Sequence, residues 1–302
     1  MGFQDATALL AYPEQLRARA DEDGFLFFKQ LIPREAIEEV RSRILEVLGR
    51  RGLLDRSRPA MDGIVDTEAI HRLTREEVNA YGVGVPLDIY KEVQSLESFH
   101  ALAHRPELLR LFDTLLGERA FPHPRNIARV MLPHRELHPT PPHQDFIHIQ
   151  GAVQTWTCWM PLGHAPRSLG GLSMLRGSHK SGRLGIAPAS GAGELEAVLC
   201  NHDYEWVEGD YEMGDFITFH SLTVHKSLPN RTPGAIRLSA DMRFQAASAV
   251  IEENSLKPHG PYAWEELYAG WQRQELMYYW RDQSFRLEPF QDTLKWQTDK
   301  IC

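Results

Sequence analysis

Cysteine is scarce in this chain of 302 residues, and the sequence has neither long apolar runs nor an excess of basic residues. The three cysteines, Cys158, Cys200 and Cys302, are far apart, which excludes a disulfide framework or a cysteine zinc cluster and is typical of a reducing compartment. No apolar run approaches the length of a membrane span, and the N-terminal segment lacks a basic region followed by an apolar one. We therefore expect a cytoplasmic protein without a membrane anchor or secretory signal.

The charge balance excludes further classes of partner. The chain has 33 basic and 41 acidic residues, a formal net charge of -8, which argues against general binding to nucleic acids or anionic membranes. Hydrophobic residues make up 42% and charged residues 25%, the profile of an ordinary globular protein. A chain of this length buries about three quarters of its unfolded surface, so it needs no covalent staples to fold.

Histidine is the residue that the sequence has in unusual number and placement. Ten of the 14 histidines lie between His123 and His225, in about a third of the chain. We therefore expect catalytic or metal-binding residues in that segment.

The first 120 residues are predicted to be mainly helical. Pro33 opens a stretch that runs to Arg50-Arg51-Gly52, with apolar residues at three- and four-residue steps: Ile37, Val40, Ile44, Leu45 and Leu48. A second helical block is predicted from about Asp88 to Leu116, interrupted near Pro106 and ended by Gly117. The polar segment 55–77 between them is predicted to be a loop, and residues 24–28 are strand-like.

After Pro122 the pattern changes to short runs that are rich in β-branched and aromatic residues and bounded by glycine or proline. The predicted strands are Ile127–Leu132, Phe146–Ile149, Val153–Met160, Gly171–Leu175, Tyr204–Val207, Asp215–Phe219, Thr223–Ser227 and Ala235–Phe244. Such a series predicts a mainly β fold with flanking helices and a jelly-roll core. We expect one domain over 1–302: a helical part at 1–120, the β core at 121–250, and an aromatic helical extension at 251–302.

The most informative short motif is His143-Gln144-Asp145. On a strand, residues i and i+2 face the same way, so His143 and Asp145 would present an imidazole and a carboxylate to one point. A second imidazole would complete the two-histidine, one-carboxylate set that leaves positions open on a ferrous ion for a co-substrate and oxygen.

Two histidines of a later segment compete for the third ligand position. His225 lies in a predicted strand, whereas His220 sits at a strand end where a turn begins and could serve a structural role. His134 and His138 have helical spacing, but the prolines around them forbid a stable helix.

The sequence resembles the phytanoyl-CoA dioxygenase family over roughly residues 15 to 245. The motifs that carry the resemblance occur in the family's order: Asp23-Gly24-Phe25-Leu26, Pro142-His143-Gln144-Asp145, Trp159 with His164, Gly170-Gly171-Leu172, Gly177-Ser178-His179-Lys180, Phe219-His220, His225-x-Ser227, Asn230-x-Thr232-x-Gly234 and Arg237. Members of this family are non-haem iron(II), 2-oxoglutarate-dependent oxygenases built on a double-stranded β-helix, a cupin-like relative of the jelly roll.

The resemblance also implies roles for individual residues. It assigns Fe(II) to His143, Asp145 and His225, and the distal carboxylate of 2-oxoglutarate to Arg237. A guanidinium suits that role because it pairs bidentately with a carboxylate and stays charged. It further implies that the co-substrate pocket is lined by Ser227, Ser239 and Trp159.

One departure from the family pattern leaves an alternative open. His225 and Arg237 are twelve residues apart where eleven is common, so an extra loop residue must be absorbed between them. If it is not, Arg243 or Arg231 becomes the carboxylate partner. Arg243 would share a strand face with Arg237, whereas Arg231 reads as turn surface.

Substrate-facing residues are expected close to these motifs. The candidates are Phe146, His148, Trp156 and Arg129, and Arg125 and Arg167 could also offer charge to an acidic substrate. The aromatic residues after position 263 read as core or as a dimer face.

The resemblance therefore implies a dioxygenase that hydroxylates a small organic molecule, natural-product or amino-acid-like, and releases succinate and CO2. Its predicted cofactors are Fe(II), 2-oxoglutarate and O2, with ascorbate as a supporting reductant. Alternatives within the family are a desaturase, cyclase, epimerase or acyl-CoA hydroxylase, although no dense basic patch favours a coenzyme A thioester. An alternative of another class is a cupin-like binding protein without oxygen activation. We expect a monomer or homodimer.

Overall fold

The computed structural model describes residues 2–199 and 203–297. Cys200 and Cys302 lie outside the described residues, and Cys158 is a buried free thiol. The helices are α1 (Pro13–Asp23), α2 (Arg34–Arg50), α3 (Thr67–His71), α4 (Arg75–Asn79), α5 (Leu87–Gln94), α6 (Glu97–Ala101), α7 (Pro106–Leu116), α8 (Phe146–Ile149) and α9 (Trp264–Leu267).

The helices of the N-terminal part largely follow the sequence pattern. Helix α2 begins after Pro33 and buries the predicted apolar stripe, which confirms that prediction. The block predicted from Asp88 to Leu116 is divided into α5, α6 and α7, since Leu96 and Arg105 are extended. Arg105 precedes a proline, whose ring disfavours helical backbone in the residue before it. The polar segment 55–77 was predicted as a loop, but it contains α3 and the start of α4.

The β structure starts within the helical part and continues past the middle of the chain. The strands are β1 (Phe25–Phe28), β2 (Ala120–Pro122), β3 (Ile127–Met131), β4 (Trp156–Pro161), β5 (Leu172–Leu175), β6 (Ile186–Pro188), β7 (Leu195–Ala197), β8 (Trp206–Glu208), β9 (Phe216–His220), β10 (His225–Ser227), β11 (Arg237–Ala246), β12 (Ile251–Glu252) and β13 (Leu287–Glu288).

Two antiparallel sheets form the centre of the molecule. The larger has the order β1-β9-β4-β11-β2, with β3 also paired to β11, and the smaller has the order β10-β5-β8. Two short pairs, the antiparallel hairpin β6–β7 and the parallel pair β12–β13, lie outside them. These mainly antiparallel sheets with flanking helices confirm the predicted mainly β fold class. The predicted domain boundaries stay a prediction.

Strand β11 has an apolar face and a polar face, and both faces are buried. Its apolar residues Leu238, Ala240, Met242 and Phe244 belong to the main hydrophobic core, which also contains side chains of α1, α2, α5 and α7. Phe244, for example, stacks on Phe112 of α7 with ring centroids 3.9 Å apart. Because side chains alternate along a strand, the polar residues between them point to the opposite side: Arg237, Ser239, Asp241 and Arg243, all buried.

Two further predictions of local structure were wrong. Phe146–Ile149 is not a strand but the short helix α8, because the backbone of Asp145 is already helical (φ -60°, ψ -31°). The C-terminal extension is mostly irregular, with α9 and 3-10 turns in place of longer helices. Gly270 (φ +89°) and Tyr278 (φ +52°) turn the chain away from helical geometry, so the aromatic side chains there form a compact cluster of their own.

No helix in the described part of the chain has both the length and the apolar composition needed to cross a bilayer.

Candidate active site

His143, Asp145 and His225 come together in the interior. Asp145 Oδ1 lies 3.5 Å from His143 Nε2 and 3.8 Å from His225 Nε2, and one ligand atom from each residue lies within 4.8 Å of the others. All three side chains are buried. We call these residues the triad.

The backbone holds the two histidines side by side. His143 and His225 form an isolated antiparallel bridge, in which each N–H donates to the other's carbonyl at 2.9 and 3.0 Å. Asp145 reaches the same point from the start of α8, not from a strand as the sequence predicted. His220, the rival candidate, is outside the triad, and its Nδ1 accepts the N–H of Leu222 at 3.1 Å.

Hydrogen bonds fix the orientation of each triad side chain. His143 Nδ1 donates to the carbonyl of Pro141 at 2.8 Å, and His225 Nδ1 donates to the carbonyl of Thr223 at 3.1 Å. Because a carbonyl only accepts, these bonds place the ring proton on Nδ1 and leave Nε2 as the lone-pair donor.

The carboxylate of Asp145 is held on its far side. Its Oδ2 accepts a hydrogen bond from Thr157 Oγ1 at 2.5 Å and lies 3.5 Å from Arg243 Nη2. Oδ1 is thereby left to face the two histidines.

The electrostatic environment favours the metal-binding protonation states. Burial would raise the pKa of Asp145, but Arg243 and the two histidines hold it well below its usual value. Burial, reinforced by the nearby His143, lowers the pKa of His225 to about 3. An anionic oxygen and a neutral imidazole are therefore present at neutral pH, and the set of two nitrogens and one oxygen fits a facial iron site.

A narrow cavity leads from the triad past Trp159, Leu172, Phe219 and Ser227. Arg237 lies at the Trp159 side, with its guanidinium 5.6 Å from the centre of the indole ring. Trp159 in turn packs edge-on against Tyr211, with ring centroids 4.9 Å apart.

Several polar atoms at this end lack a hydrogen-bond partner in the part of the chain that the structure describes. Arg237 Nη1 donates to the carbonyl of Gly170 at 3.3 Å, but its Nε and Nη2 have no hydrogen-bond partner among the described residues, and neither does Ser239 Oγ. Burial lowers the pKa of Arg237 to about 10, which still leaves it charged at neutral pH. Buried donors without acceptors are costly, so this pocket fits the distal carboxylate of 2-oxoglutarate.

A wider cavity of about 740 Å3 opens on the other side of the triad. Arg129 lines both cavities, and His148 and Arg125 line the wide one, in line with the positions expected for them. His148 approaches His143, with ring centroids 5.8 Å apart, because the turn of α8 brings it back towards the triad.

Other predicted substrate residues are elsewhere. Trp156 packs in the helix-facing core, because it lies on the face of β4 opposite to Thr157 and Trp159. Phe146 is buried at the start of α8 and lines neither cavity. Arg167 lies at the surface next to Glu208 and Asp210.

Sequence reasoning missed three features of the site. Thr157 could have been found, because it alternates with Trp159 towards the interior. Asp241 could also have been found, since it lies between Arg237 and Arg243 on one strand face; it pairs with Arg129 at 2.8 Å. His259 approaches the wide cavity from the C-terminal part, and the sequence carries no signal for that.

The phytanoyl-CoA dioxygenase family model matches residues 20–239, so the chain belongs to that family. Two curated relatives are both 1-deoxypentalenic acid 11-beta-hydroxylases. The protein from Streptomyces arenae is 28% identical over 273 residues, covering 85% of this chain and 89% of its own. The protein from Streptomyces exfoliatus is 29% identical over 277 residues, with the same coverage.

Solved structures share the fold at low sequence identity. The epimerase SnoN, in complex with Fe3+, alpha-ketoglutarate and nogalamycin RO, has a TM-score of 0.54 and 18% identity, covering 80% of this chain and 86% of its own. The carbocyclase SnoK from nogalamycin biosynthesis has a TM-score of 0.52 and 18% identity, with coverages of 83% and 89%.

These findings confirm the predicted jelly-roll core and the predicted class of enzyme. The chain is a non-haem iron, 2-oxoglutarate-dependent oxygenase. They also support the main predicted function, a dioxygenase that hydroxylates a small organic molecule.

Proposed function

We propose that the triad holds Fe(II) and that the enzyme hydroxylates a small organic molecule. In the overall reaction, substrate C–H, 2-oxoglutarate and O2 give substrate C–OH, succinate and CO2. The single observation that carries the proposal is the convergence of two Nε2 lone pairs and one carboxylate oxygen, each oriented by a hydrogen bond on its far side.

Fe(II) held by His143, Asp145 and His225 would supply the redox centre for the reaction of O2 with 2-oxoglutarate. Arg237 and Ser239 bind the distal carboxylate of 2-oxoglutarate with their unpartnered donors. Trp159 and Ser227 line the narrow cavity and keep the co-substrate in one orientation. Ascorbate supports turnover by keeping the iron ferrous.

Hydroxylation is proposed over the other outcomes because the two curated relatives are hydroxylases. Desaturation, cyclisation and epimerisation use the same residues and stay predictions, as do the oligomeric state and the cytoplasmic location. A cupin-like protein without oxygen activation would bind metal but would release no succinate.

The test measures iron content and succinate release by the purified enzyme supplied with Fe(II), 2-oxoglutarate, ascorbate and O2. Asp145→Ala should abolish succinate release, because the anionic ligand is lost. The matched control is His220→Gln, which changes a buried histidine outside the triad and should retain iron and turnover. Thermal unfolding checks that both variants are folded. Succinate release by a folded Asp145→Ala variant would contradict the triad.

A further inference from the structure

The wide cavity concentrates positive charge next to the triad. Arg125, Arg129 and Arg243 all line it, and so does His259, whose Nδ1 lies 2.9 Å from the hydroxyl of Tyr90. Burial and the three guanidiniums hold the pKa of His259 well below its usual value, so it adds no charge of its own. Guanidiniums rarely gather in a buried wall unless something neutralises them.

The three arginines differ in what neutralises them. Arg129 is paired with Asp241 at 2.8 Å. Arg125 forms no ion pair among the described residues and donates from Nη1 to the carbonyls of Asn254 and Pro258 at 3.3 and 2.8 Å. Arg243 approaches Asp145, whose charge is committed to the metal in the proposed function.

The charges of the loaded site then balance except for one. Fe(II) offsets Asp145 and one carboxylate of 2-oxoglutarate, Arg237 offsets the other carboxylate, and Asp241 offsets Arg129. The buried Glu252 is electrostatically coupled to Arg125, and Arg243 stays without a counter-charge of its own. The acidic residues Glu76 and Glu194 also line the cavity, but they are exposed, where solvent and salt screen them.

Three buried nitrogen atoms of residues that line the same cavity have no hydrogen-bond partner among the described residues. They are Nε of Arg243, a residue that is 6% exposed, and Nε2 of both His138 and His148. Burial lowers the pKa of His148 to about 3, so its ring is neutral. An acceptor oxygen from a ligand would satisfy Arg243 Nε in addition to neutralising it.

The remaining wall is apolar and suits a hydrocarbon body. Ile127 and Ile149 are buried side chains of this cavity, and Pro188, Ala189 and Ala192 line it from the hairpin β6–β7. A cavity of about 740 Å3 has the size of small-molecule sites.

We propose that the substrate is a compact organic carboxylate, whose carboxylate is bound by Arg125 and Arg243 while its hydrocarbon body lies against Ile127 and Ile149. This inference rests on the proposed function and specifies its substrate class. A thioester has no charge beside its acyl chain, so an acyl-CoA would leave the Arg243 guanidinium unmatched.

The first experiment compares matched ligands on the enzyme loaded with Fe(II) and 2-oxoglutarate without oxygen. Equilibrium dialysis measures binding of carboxylates, carboxamides, methylamines and phosphonates built on cyclohexane, decalin and adamantane. On at least one scaffold, the carboxylate should bind at least about tenfold more tightly than the carboxamide and the methylamine, since a charge-assisted bond to a buried guanidinium is lost. Failure of every carboxylate, equal binding of a carboxamide, or tighter binding of the phosphonate would overturn the proposal.

The second experiment tests whether Arg125 and Arg243 are responsible for the preference for carboxylates. Arg125→Gln and Arg243→Gln should each reduce carboxylate affinity by about tenfold or more and bring it close to that of the carboxamide. Arg167→Gln, which changes a surface arginine outside the cavity, is the matched control and should leave the preference unchanged. An unchanged preference in the Arg125→Gln, Arg243→Gln double variant would overturn the assignment.

The two proposals fail in different ways. If the triad or the co-substrate pocket is wrong, the unaltered enzyme will not bind 2-oxoglutarate or release succinate. If only the substrate class is wrong, iron and 2-oxoglutarate will bind normally while the ligand panel shows no preference for carboxylates.

Discussion

The two sides of the triad are built from different kinds of structure. The walls of the narrow cavity come mainly from strands, with Trp159 on β4, Leu172 on β5, Phe219 on β9 and Ser227 on β10. Much of the wide cavity comes from helix α4, from the tip of the hairpin β6–β7 (188–194) and from irregular segments. The co-substrate side therefore has a rigid frame, whereas the substrate side is shaped by segments that can vary without disturbing the sheets.

The prediction with the largest expected effect tests on which side of the triad 2-oxoglutarate binds: at Arg237 on the narrow side, or at Arg243 on the wide side. Arg237→Gln should weaken 2-oxoglutarate binding by roughly 100-fold, since a buried bidentate charge-assisted pair is lost. Arg237→Lys should have an affinity for 2-oxoglutarate between those of the unaltered enzyme and Arg237→Gln. Arg243→Gln should reduce this affinity much less than Arg237→Gln does. Equilibrium dialysis with labelled 2-oxoglutarate measures this. A larger loss in Arg243→Gln than in Arg237→Gln would reverse the two sides.

The second prediction concerns the support of Asp145, which lines both cavities. Thr157→Val removes the hydroxyl that holds Asp145 and should reduce iron affinity by about 10- to 100-fold, as is typical for such supporting residues. Thr157→Ser keeps the hydroxyl and is the control. Iron titration monitored by intrinsic fluorescence would reveal the change, and equal affinities in the two variants would show that the hydrogen bond does not position the carboxylate.

The third prediction tests how acid affects the strand-built side. Burial lowers the pKa of His123 to about 3 and that of His220 to about 4, and both lie at the larger sheet. In the folded protein the pKa values of both histidines lie below the unfolded value of about 6.5. As the pH falls below that value, the unfolded chain binds protons that the folded protein cannot bind, so the free energy of unfolding decreases as the pH falls towards 4. Each of these histidines should lower the free energy of unfolding by roughly 1 kcal/mol at pH about 5.5 relative to pH about 7.5.

Urea unfolding at pH about 7.5 and about 5.5 measures this loss. His123→Gln should reduce the difference in unfolding free energy between the two pH values by about one histidine's share. An identical difference in the variant would mean that His123 accepts a proton in the folded state.

The smallest effect is expected on the loop-built side. Gly193 has φ +84°, and an added Cβ would lie 2.7 Å from the His148 ring. Gly193→Ala should strain the hairpin tip by about 1 kcal/mol and raise amide exchange in β6–β7 about fivefold, with 2-oxoglutarate binding unchanged. Gly185→Ala is the control, because its added Cβ would lie 4.0 Å from the Cβ of Val198, which is an ordinary van der Waals distance. Loss of 2-oxoglutarate binding in Gly193→Ala would show that the sides are not independent.

The same contrast explains what the sequence could predict. The resemblance to the family implied the roles of Arg237, Ser239 and Trp159, and those roles stay predictions. The strands that carry these residues were predicted from the local sequence pattern, because alternation along a strand depends on local backbone geometry. The proximity of His143 and Asp145 was predicted for the wrong reason: α8 begins at that point, and a helical turn brings the side chains together instead.

Residues of the substrate side depended on contacts distant in sequence. Arg129, on β3, lines both cavities, and its contact with the substrate stays a prediction. Trp156 was predicted to face the substrate, but its side chain lies in the hydrophobic core. His259 and the hairpin β6–β7 could not be predicted, because tertiary packing and not local pattern brings them to the cavity. The aromatic C-terminal part was predicted to be helical from its spacing, and its glycine and proline content overrode that signal.

The bridge between His143 and His225 has a consequence for how the enzyme matures. It joins residues that are far apart in the chain, and closing so long a loop is entropically costly, so we expect this contact to form late in folding. His225 would then join His143 and Asp145 only after much of the fold is in place, and we expect that iron does not nucleate folding. We expect the newly made chain to fold without metal and to acquire iron afterwards, so that the metal it carries reflects what is present in its surroundings at that moment.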